Sequence, residues 1–218
     1  MAHRAIMHPM LSPSLQSAIT NIIDLIAQQG YAVVEHFLAP EVIKDLAIQA
    51  RSLQGAGAMH KAKTGLNTPT QAATIRGDFI HWIEGDLASQ AESTYLAATS
   101  ELQQALNQAF FLGLFELESH FAIYPAGAGY QKHLDQLIGK AERKVSCILY
   151  LNEDWQPEDG GQLRMYLDQQ DALKWIDIFP QAGTLVVFLS SDFLHEVLPA
   201  KRERISITGW FRTRGLEI

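Results

Sequence analysis

The first 112 residues repeat apolar side chains mainly at the spacing of helices. A first helix is predicted after Ser12-Pro13, where serine caps the helix and proline takes its first position. Its apolar positions are Leu15, Ile19, Ile22 and Ile26. The run 31–38 (YAVVEHFL) predicts a strand. The helical spacing returns twice more and predicts helices over residues 40–55 and 90–112.

The pattern changes at residue 115 to short β-forming runs that Gly, Asp, Asn and Pro separate. These runs are FELESHFAIYP, RKVSCILYLN, GGQLRMYLD, KWIDIFP, TLVVFL, HEVLPA and RISITGWFRT. Their regular spacing predicts the antiparallel strands of a sandwich, barrel or jelly roll. Because no linker-like stretch divides the chain, we expect one domain over residues 1–218. In that domain, residues 1–114 are a mainly helical support for a β core at 115–214.

One segment follows neither pattern. Residues 54–74 (QGAGAMHKAKTGLNTPTQAAT) are small and polar, with little that could fill a core. A stretch of this length without its own pattern is typical of a functional or mobile loop, and a tolerated surface insertion is an equal alternative. After it, residues 76–85 (RGDFIHWIEG) return to strand-like alternation.

Composition and charge narrow the class of protein. Hydrophobic residues make up 47% and charged residues 19%, which excludes a mainly disordered chain, a collagen-like fibre and a coiled coil. The net charge of −7 gives no general attraction for nucleic acid or anionic membranes. Cys147 is the only cysteine, so the chain forms no internal disulfide and no Cys-rich zinc site. Since no signal-peptide core or membrane-spanning window is found, we expect a soluble cytoplasmic protein.

Three residues have the chemistry and spacing of a metal site. His133 and Asp135 lie two residues apart, so their side chains share one face of an extended segment. His195 follows the strand TLVVFL and a short turn, and is a candidate third ligand. Two imidazoles and one carboxylate form the facial triad of non-haem Fe(II) oxygenases, although this pattern alone also arises by chance. The other six histidines are expected to be structural or exposed, with His36, His81 and His120 in predicted strands.

Arg204 adds a second element of chemistry. It comes nine residues after His195 and begins the apolar strand RISIT. A buried guanidinium needs an anion, because it stays charged and an unpaired buried charge is costly. A dicarboxylate that chelates the metal through one end would offer its far carboxylate to this arginine. The alternative is a structural ion pair with an acidic residue of the chain.

A series of further motifs lies in order along residues 75–212. They are Arg76-Gly77-Asp78, Trp82-Ile83-Glu84-Gly85, Tyr124-Pro125, Gly129-Tyr130, His133-x-Asp135, Tyr150-Leu151-Asn152-x-Asp154-Trp155, Gly160-Gly161-x-Leu163-Arg164, His195-Glu196-Val197, and Arg204 six residues before Trp210. In this order the chain resembles the iron(II)/2-oxoglutarate-dependent dioxygenases, and more narrowly the prolyl hydroxylases of the HIF-sensing type and their bacterial relatives. The resemblance implies a mainly β fold with N-terminal helices and a double-stranded β-helix core, the cupin-like jelly roll.

The resemblance also implies roles for individual residues. Fe(II) would be bound by His133, Asp135 and His195. The cosubstrate pocket would comprise Arg204, Tyr150, Tyr124, Leu163 and Trp210, with Arg204 and the Tyr150 hydroxyl on the distal carboxylate of 2-oxoglutarate. The substrate side would comprise Arg76, Asp78 and Tyr130. Ordinary β-core packing is the alternative for Tyr124, Tyr130, Leu163 and Trp210.

The implied function is the hydroxylation of a prolyl residue in a protein or peptide substrate. It would use Fe(II), 2-oxoglutarate and O₂, with ascorbate as a supporting reductant, and would yield hydroxyproline, succinate and CO₂. We expect a monomer without nucleic-acid or membrane partners. Tryptophan at position 210, where nucleic-acid demethylases of this superfamily often carry a second arginine, argues against that branch. Two alternatives stay open: a 2-oxoglutarate oxygenase acting on another side chain or a small molecule, and a non-catalytic cupin-like metal binder.

Overall fold

The computed structural model describes residues 13–62, 76–136, 142–168 and 173–215. Three α-helices lie in the amino-terminal half: α1 (Pro13–Gln29), α2 (Pro40–Gly55) and α3 (Gln90–Phe110). The last begins at a capping box, in which the Ser89 hydroxyl accepts from the Glu92 amide and the Glu92 carboxylate accepts from the Ser89 amide. The three predicted helices are therefore confirmed, whereas the cap predicted at Ser12 lies outside the described residues.

Eleven strands of the described residues form two antiparallel sheets. The larger sheet has the order β1-β9-β6-β11-β4-β3-β2. Its strands are β1 (Tyr31–Val34), β2 (His60–Lys61), β3 (Phe79–Trp82), β4 (Leu114–Tyr124), β6 (Arg143–Tyr150), β9 (Leu185–Leu189) and β11 (Arg204–Thr213). The smaller sheet has the order β5-β10-β7-β8. Its strands are β5 (Tyr130–His133), β7 (Leu163–Tyr166), β8 (Trp175–Ile178) and β10 (His195–Val197).

The two faces of the larger sheet bury different partners. On β11, Ile205, Ile207 and Phe211 belong to one apolar core together with residues of all three helices. The residues in between, Arg204, Ser206 and Thr208, lie on the opposite face because side chains alternate along a strand. A second core on that face joins residues of both sheets: Tyr124, Ile148, Tyr150, Leu163, Met165 and Val186. The helices thus cover one face, and the space between the sheets lies on the other.

Two local predictions differ from the structure. The strand predicted over 31–38 ends at Val34, so the placement of His36 in a strand was wrong. His36 has φ +55°, and the chain turns there so that the Phe37 amide donates to the Gly183 carbonyl at 3.1 Å. Part of the patternless segment 54–74 is also ordered, since it includes the end of α2 and strand β2, which pairs with β3. Residues 63–74 lie outside the described residues, so the mobility predicted for this part of the loop stays a prediction.

None of the described helices combines the length and the apolar character that crossing a bilayer requires. The organisation of residues 1–218 as one domain stays a prediction.

Candidate metal centre

Pairing of β5 with β10 brings the three predicted metal ligands together. His133 and His195 are direct partners across these strands, and Asp135 follows two residues after His133. The Asp135 carboxylate lies 3.6 Å from Nε2 of His133 through Oδ1 and 3.6 Å from Nε2 of His195 through Oδ2. All three ligand atoms lie within 4.8 Å of one another, so one ion can contact all of them. The register of this pair shifts between His195 and Val197, where two residues of β10 span three of β5, an irregularity of the kind often found beside active sites.

Hydrogen bonds to backbone carbonyls set the tautomer of both imidazoles. Nδ1 of His133 lies 2.8 Å from the Gln131 carbonyl oxygen, and Nδ1 of His195 lies 3.0 Å from that of Phe193. Because a carbonyl oxygen only accepts, each Nδ1 carries the proton and each Nε2 keeps its lone pair for a metal. Burial lowers the pKa of His195, which favours the neutral form that binds metals.

The carboxylate of Asp135 is buried and held from behind by Ser146 on β6. The Ser146 hydroxyl donates to Oδ2 of Asp135 at 2.7 Å and lies 2.9 Å from the Ser190 hydroxyl. Burial alone would raise the pKa of Asp135, but the adjacent imidazoles and the Ser146 hydroxyl hold it below its usual range. A carboxylate with two imidazoles is a donor set suited to Fe(II).

Ser146 gives a test of this arrangement. We expect Ser146→Ala to weaken Fe(II) binding by about tenfold or more, because a hydrogen bond that orients a ligand carboxylate is lost. Calorimetric titration of Fe(II) under argon measures the change. Ser206→Ala is the matched control, since Ser206 is buried on a neighbouring strand and its hydroxyl makes no hydrogen bond with another described residue. Equal affinities of the Ser146 variant and the unchanged protein would contradict the assignment.

A small cavity of about 30 Å³ opens beside the three ligands. Of the predicted pocket residues it is lined by Arg76, Tyr124, Tyr130, Leu163, Arg204 and Trp210. It is also lined by Ile148, Val197 and Thr208, which the sequence analysis did not single out. Thr208 lies between Arg204 and Trp210 on the same face of β11, so the alternation of that strand was the signal that could have found it.

Arg204 lies in this cavity as a buried cation without a carboxylate partner among the described residues. Its side chain is almost fully buried (2% exposed), and its Nε donates to the Gly161 carbonyl at 2.9 Å. The guanidinium carbon lies 5.2 Å from the centre of the Tyr124 ring and 5.0 Å from that of Tyr150. The hydroxyls of Tyr150 and Ser206 are buried and make no hydrogen bond with another described residue. A bound carboxylate fits this arrangement, because it would pair the cation and satisfy the free donors.

The acceptor for Arg204 depends on a glycine pair. Gly160 and Gly161 have φ +72° and +70°, which L side chains rarely adopt. A Cβ at Gly161 would come within 2.8 Å of the Ala200 Cβ, and one at Gly160 within 2.8 Å of the Pro199 carbonyl oxygen. Glycine is therefore required here for the backbone to approach Arg204 closely.

The predicted substrate residues Arg76, Asp78 and Tyr130 form one connected group. Nε and Nη2 of Arg76 donate to the two oxygens of Asp78 at 2.6 and 2.8 Å. The guanidinium carbon lies 5.0 Å from the centre of the Tyr130 ring, which stacks on the ring of His133 at 3.6 Å. Burial would lower the pKa of Arg76, but the hydrogen bond with Asp78, together with the charge of Asp78 and the nearby tyrosines, outweighs burial and raises the pKa.

The substrate role predicted for Asp78 stays a prediction, and in the structure this residue binds Arg76. Asp78 has no exposed surface and does not line the cavity, because Arg76 occupies both of its oxygens. Its role in the structure is to hold and neutralise Arg76.

His120 on β4 is a further buried group that sequence reasoning treated as structural. Its ring lies between Trp82, at 4.8 Å between ring centres, and Trp210, at 5.4 Å. Its Nε2 lies 3.3 Å from Nη2 of Arg76. Burial lowers the pKa of His120 to about 3, and the charges of Arg76 and Arg143 act in the same direction.

This low pKa predicts acid sensitivity of the fold. The ordinary pKa of 6.5 applies to the unfolded chain, so between pH 6.5 and about 3 the unfolded chain binds a proton that folded His120 does not. The free energy of unfolding therefore falls as the pH drops through this window, by up to about 1.4 kcal/mol per pH unit. Urea unfolding at pH 7, 6 and 5 measures it. His120→Gln should lose less stability over the same range, and parallel curves for the two proteins would contradict the prediction.

Comparison with known proteins identifies the class to which this site belongs. Residues 119–212 match the family described as the 2OG-Fe(II) oxygenase superfamily. The chain is also similar to the solved structure of a Pseudomonas putida prolyl-4-hydroxylase, with 46% identity, a TM-score of 0.81, and coverage of 90% of this chain and 100% of that one. The chain belongs to the 2OG-Fe(II) oxygenase superfamily. Enzymes of this family need Fe(II), 2-oxoglutarate and O₂, and the predicted jelly-roll fold is confirmed.

Two other similar proteins come from animals. A prolyl hydroxylase from Trichoplax adhaerens, solved in complex with a hypoxia inducible factor oxygen degradation domain peptide fragment, is 26% identical, with a TM-score of 0.81 and coverage of 91% of this chain and 90% of that one. Egl nine homolog 1 from Homo sapiens is 30% identical over 207 residues, which cover 91% of this chain and 47% of that protein. The chain thus spans about half the length of this curated relative.

Proposed function

We propose that the chain hydroxylates a prolyl residue of a protein or peptide, with Fe(II), 2-oxoglutarate and O₂, and yields hydroxyproline, succinate and CO₂. The observation that carries this proposal is the pairing, in one cavity, of the metal triad with a buried arginine that has no carboxylate partner among the described residues. The prolyl substrate is supported by the 46% identity to the Pseudomonas putida prolyl-4-hydroxylase, which the chain covers completely.

In this proposal the three ligands hold the metal by one face. His133, Asp135 and His195 would bind Fe(II) and leave positions for 2-oxoglutarate and O₂. When bound, Fe(II) together with 2-oxoglutarate supplies the oxidising chemistry that converts a C–H bond into C–OH. The protein contributes the orientation of the ligands, through the two backbone carbonyls and the Ser146 hydroxyl that fix them.

The cosubstrate would be held at its far end by charge and hydrogen bonds. Arg204 would pair with the distal carboxylate of 2-oxoglutarate, and the Tyr150 and Ser206 hydroxyls would donate to the same group. Burial raises the pKa of Tyr150, although the nearby Arg204 charge opposes this, so the hydroxyl keeps its proton and donates. Tyr124 would lie near the chelating end, and Leu163 and Trp210 would wall the pocket and keep water out.

The substrate would enter on the side of Arg76, Tyr130 and Trp210, which also line the cavity. Arg76 and Arg204 differ in charge balance, since Asp78 already neutralises Arg76. A neutral donor suits a peptide carbonyl, whereas the unpaired Arg204 suits an anion. The cavity therefore offers a cationic subsite at Arg204, which suits the carboxylate of a dicarboxylate cosubstrate. It also offers a neutral subsite at Arg76, which suits a peptide carbonyl.

Mass spectrometry of a capped X-Pro-Y peptide library incubated with the protein, Fe(II), ascorbate and 2-oxoglutarate tests the proposal. We expect a gain of one oxygen atom on proline, together with succinate. Oxygen added only to other residues would indicate that another side chain is the substrate. Succinate without any peptide product would indicate a small-molecule substrate. Absence of succinate under every substrate would favour a non-catalytic metal binder.

A further inference from the structure

His120 does not line the active-site cavity itself, but its ring packs against Trp210, which does. On β4 it pairs with Thr208 of β11, which lines the cavity, and with Trp82 of β3. Its side chain is 1% exposed, between apolar rings that offer it no hydrogen bond through their faces. A polar ring in this position calls for a partner, because an unpaired buried polar group is destabilising.

That partner is Arg76. A guanidinium only donates, so Nε2 of His120 accepts from Nη2 of Arg76 at 3.3 Å. The imidazole proton then lies on Nδ1, which is buried and makes no hydrogen bond with another described residue. A charged imidazolium would have no lone pair to accept this bond and would repel Arg76. The low pKa of His120 agrees with the neutral form.

The contacts of Arg76 leave one end of its guanidinium free. Nε and Nη2 bind Asp78, and Nη2 also binds His120, whereas Nη1 takes part in none of these three contacts. The Tyr130 hydroxyl is the other described group close enough to interact with this guanidinium. Arg76 lines the cavity that contains the metal triad. Two buried acceptors on one side thus fix the planar group and leave its Nη1 donors for a molecule in the cavity.

We propose that His120 is a positioning residue: with Asp78 it locks Arg76 so that Nη1 donates to a neutral backbone carbonyl of the substrate peptide. This rests on the proposed prolyl hydroxylation and adds to it a named determinant of substrate binding. The chemistry selected is an uncharged amide oxygen, because Asp78 cancels the charge of Arg76. A carboxylate at this position would find no net positive partner.

The first test examines His120 itself and needs no substrate. Long-range ¹H–¹⁵N NMR spectra of the protein from pH 5.5 to 8 report the protonation of both imidazole nitrogens. We expect a proton on Nδ1 and none on Nε2 across the range. A proton on Nε2 would overturn the proposal whatever the substrate is.

The second test measures binding with paired variants. His120→Phe keeps a flat ring between the two indoles but removes the acceptor, and His120→Gln keeps an acceptor; His120→Leu replaces His120→Phe if the larger ring prevents folding. The probe is the best peptide of the X-Pro-Y library, titrated by fluorescence anisotropy into Mn(II)- and 2-oxoglutarate-loaded protein.

For His120→Phe we expect about tenfold weaker peptide binding and a matching rise in peptide KM, with kcat and the Kd of 2-oxoglutarate within about twofold, because a hydrogen bond that orients a charged donor is lost. His120→Gln should restore most of the affinity. Wild-type peptide affinity in His120→Phe, equal losses in both variants, or a fall in kcat alone would overturn the proposal. Absence of peptide binding by the unchanged protein would instead overturn the proposed function, and with it this role of His120.

Discussion

Asp135→Asn is expected to reduce Fe(II) affinity and 2-oxoglutarate turnover by about a thousandfold or more. The change keeps the size of the side chain and leaves an oxygen for Ser146, but it removes the only negative charge among the three ligands. Mutation of groups that only orient a ligand lowers metal affinity by about 10- to 100-fold. We therefore expect loss of the charged ligand itself to lower metal affinity by more than that. Anaerobic calorimetry with Fe(II) and a succinate assay measure the two effects.

A matched control separates metal loss from a general loss of charge. Asp177→Asn removes a partly exposed carboxylate on the edge strand β8 that pairs with Arg164, and β7 separates this strand from β10 and His195. We expect its Fe(II) affinity and turnover to stay within about twofold of the unchanged protein, since exposed ion pairs contribute little. Circular dichroism checks that both variants fold. An Asp135→Asn protein that binds Fe(II) within tenfold of the unchanged protein would refute the assignment of this carboxylate.

Arg204→Ala should produce the second large effect, on the cosubstrate rather than on the metal. Truncating one partner of a buried, hydrogen-bonded charge pair costs about 2–5 kcal/mol, hence roughly thirtyfold or more in the Kd of 2-oxoglutarate. Fe(II) affinity should stay nearly unchanged, because Arg204 contacts the Gly161 carbonyl and two tyrosine rings rather than the triad. Calorimetric titration of 2-oxoglutarate into the Mn(II)-loaded protein measures the change.

Arg202→Ala is the control for this experiment. Arg202 lies two residues before Arg204 but faces the surface, where it contacts Asp159 and the Glu153 carbonyl. Its loss should leave 2-oxoglutarate affinity within about twofold. Arg204→Lys adds a finer test, because lysine keeps the charge but cannot offer the two parallel donors of a guanidinium. Loss of metal affinity with unchanged cosubstrate affinity in Arg204→Ala would contradict the role of this arginine.

Several features of the site could be predicted because they depend on short spacings. The two-residue spacing of His133 and Asp135 places both on one face of any extended segment. Alternation along β11 likewise puts Arg204 and Trp210 on one face, where both line the cavity, and Ile205 and Ile207 on the other, where both join the core with the helices. These features follow from the local geometry of a strand, and the pairing with neighbouring strands does not alter that geometry.

Other features depended on contacts that cross between strands. Ser146 holds Asp135 only because β6 packs behind the triad, and nothing in its own segment indicates that role. His120 and Arg76 are 44 residues apart in the chain and meet through the pairing of β3 with β4. Asp78 is fully buried and is held by Arg76, and nothing in the Arg76-Gly77-Asp78 motif indicated that burial.

From the sequence alone follow the three helices, the β-rich core, the residue types of the triad and a cation that requires an anion. Only the tertiary structure decided which buried groups stay unpaired, which arginine is already neutralised and which side chains orient the ligands. The physical reason is that periodicity sets the face on which a side chain lies, whereas the register and order of the strands set what it meets there. A one-residue change of register would leave every local pattern intact and would separate His133 from His195.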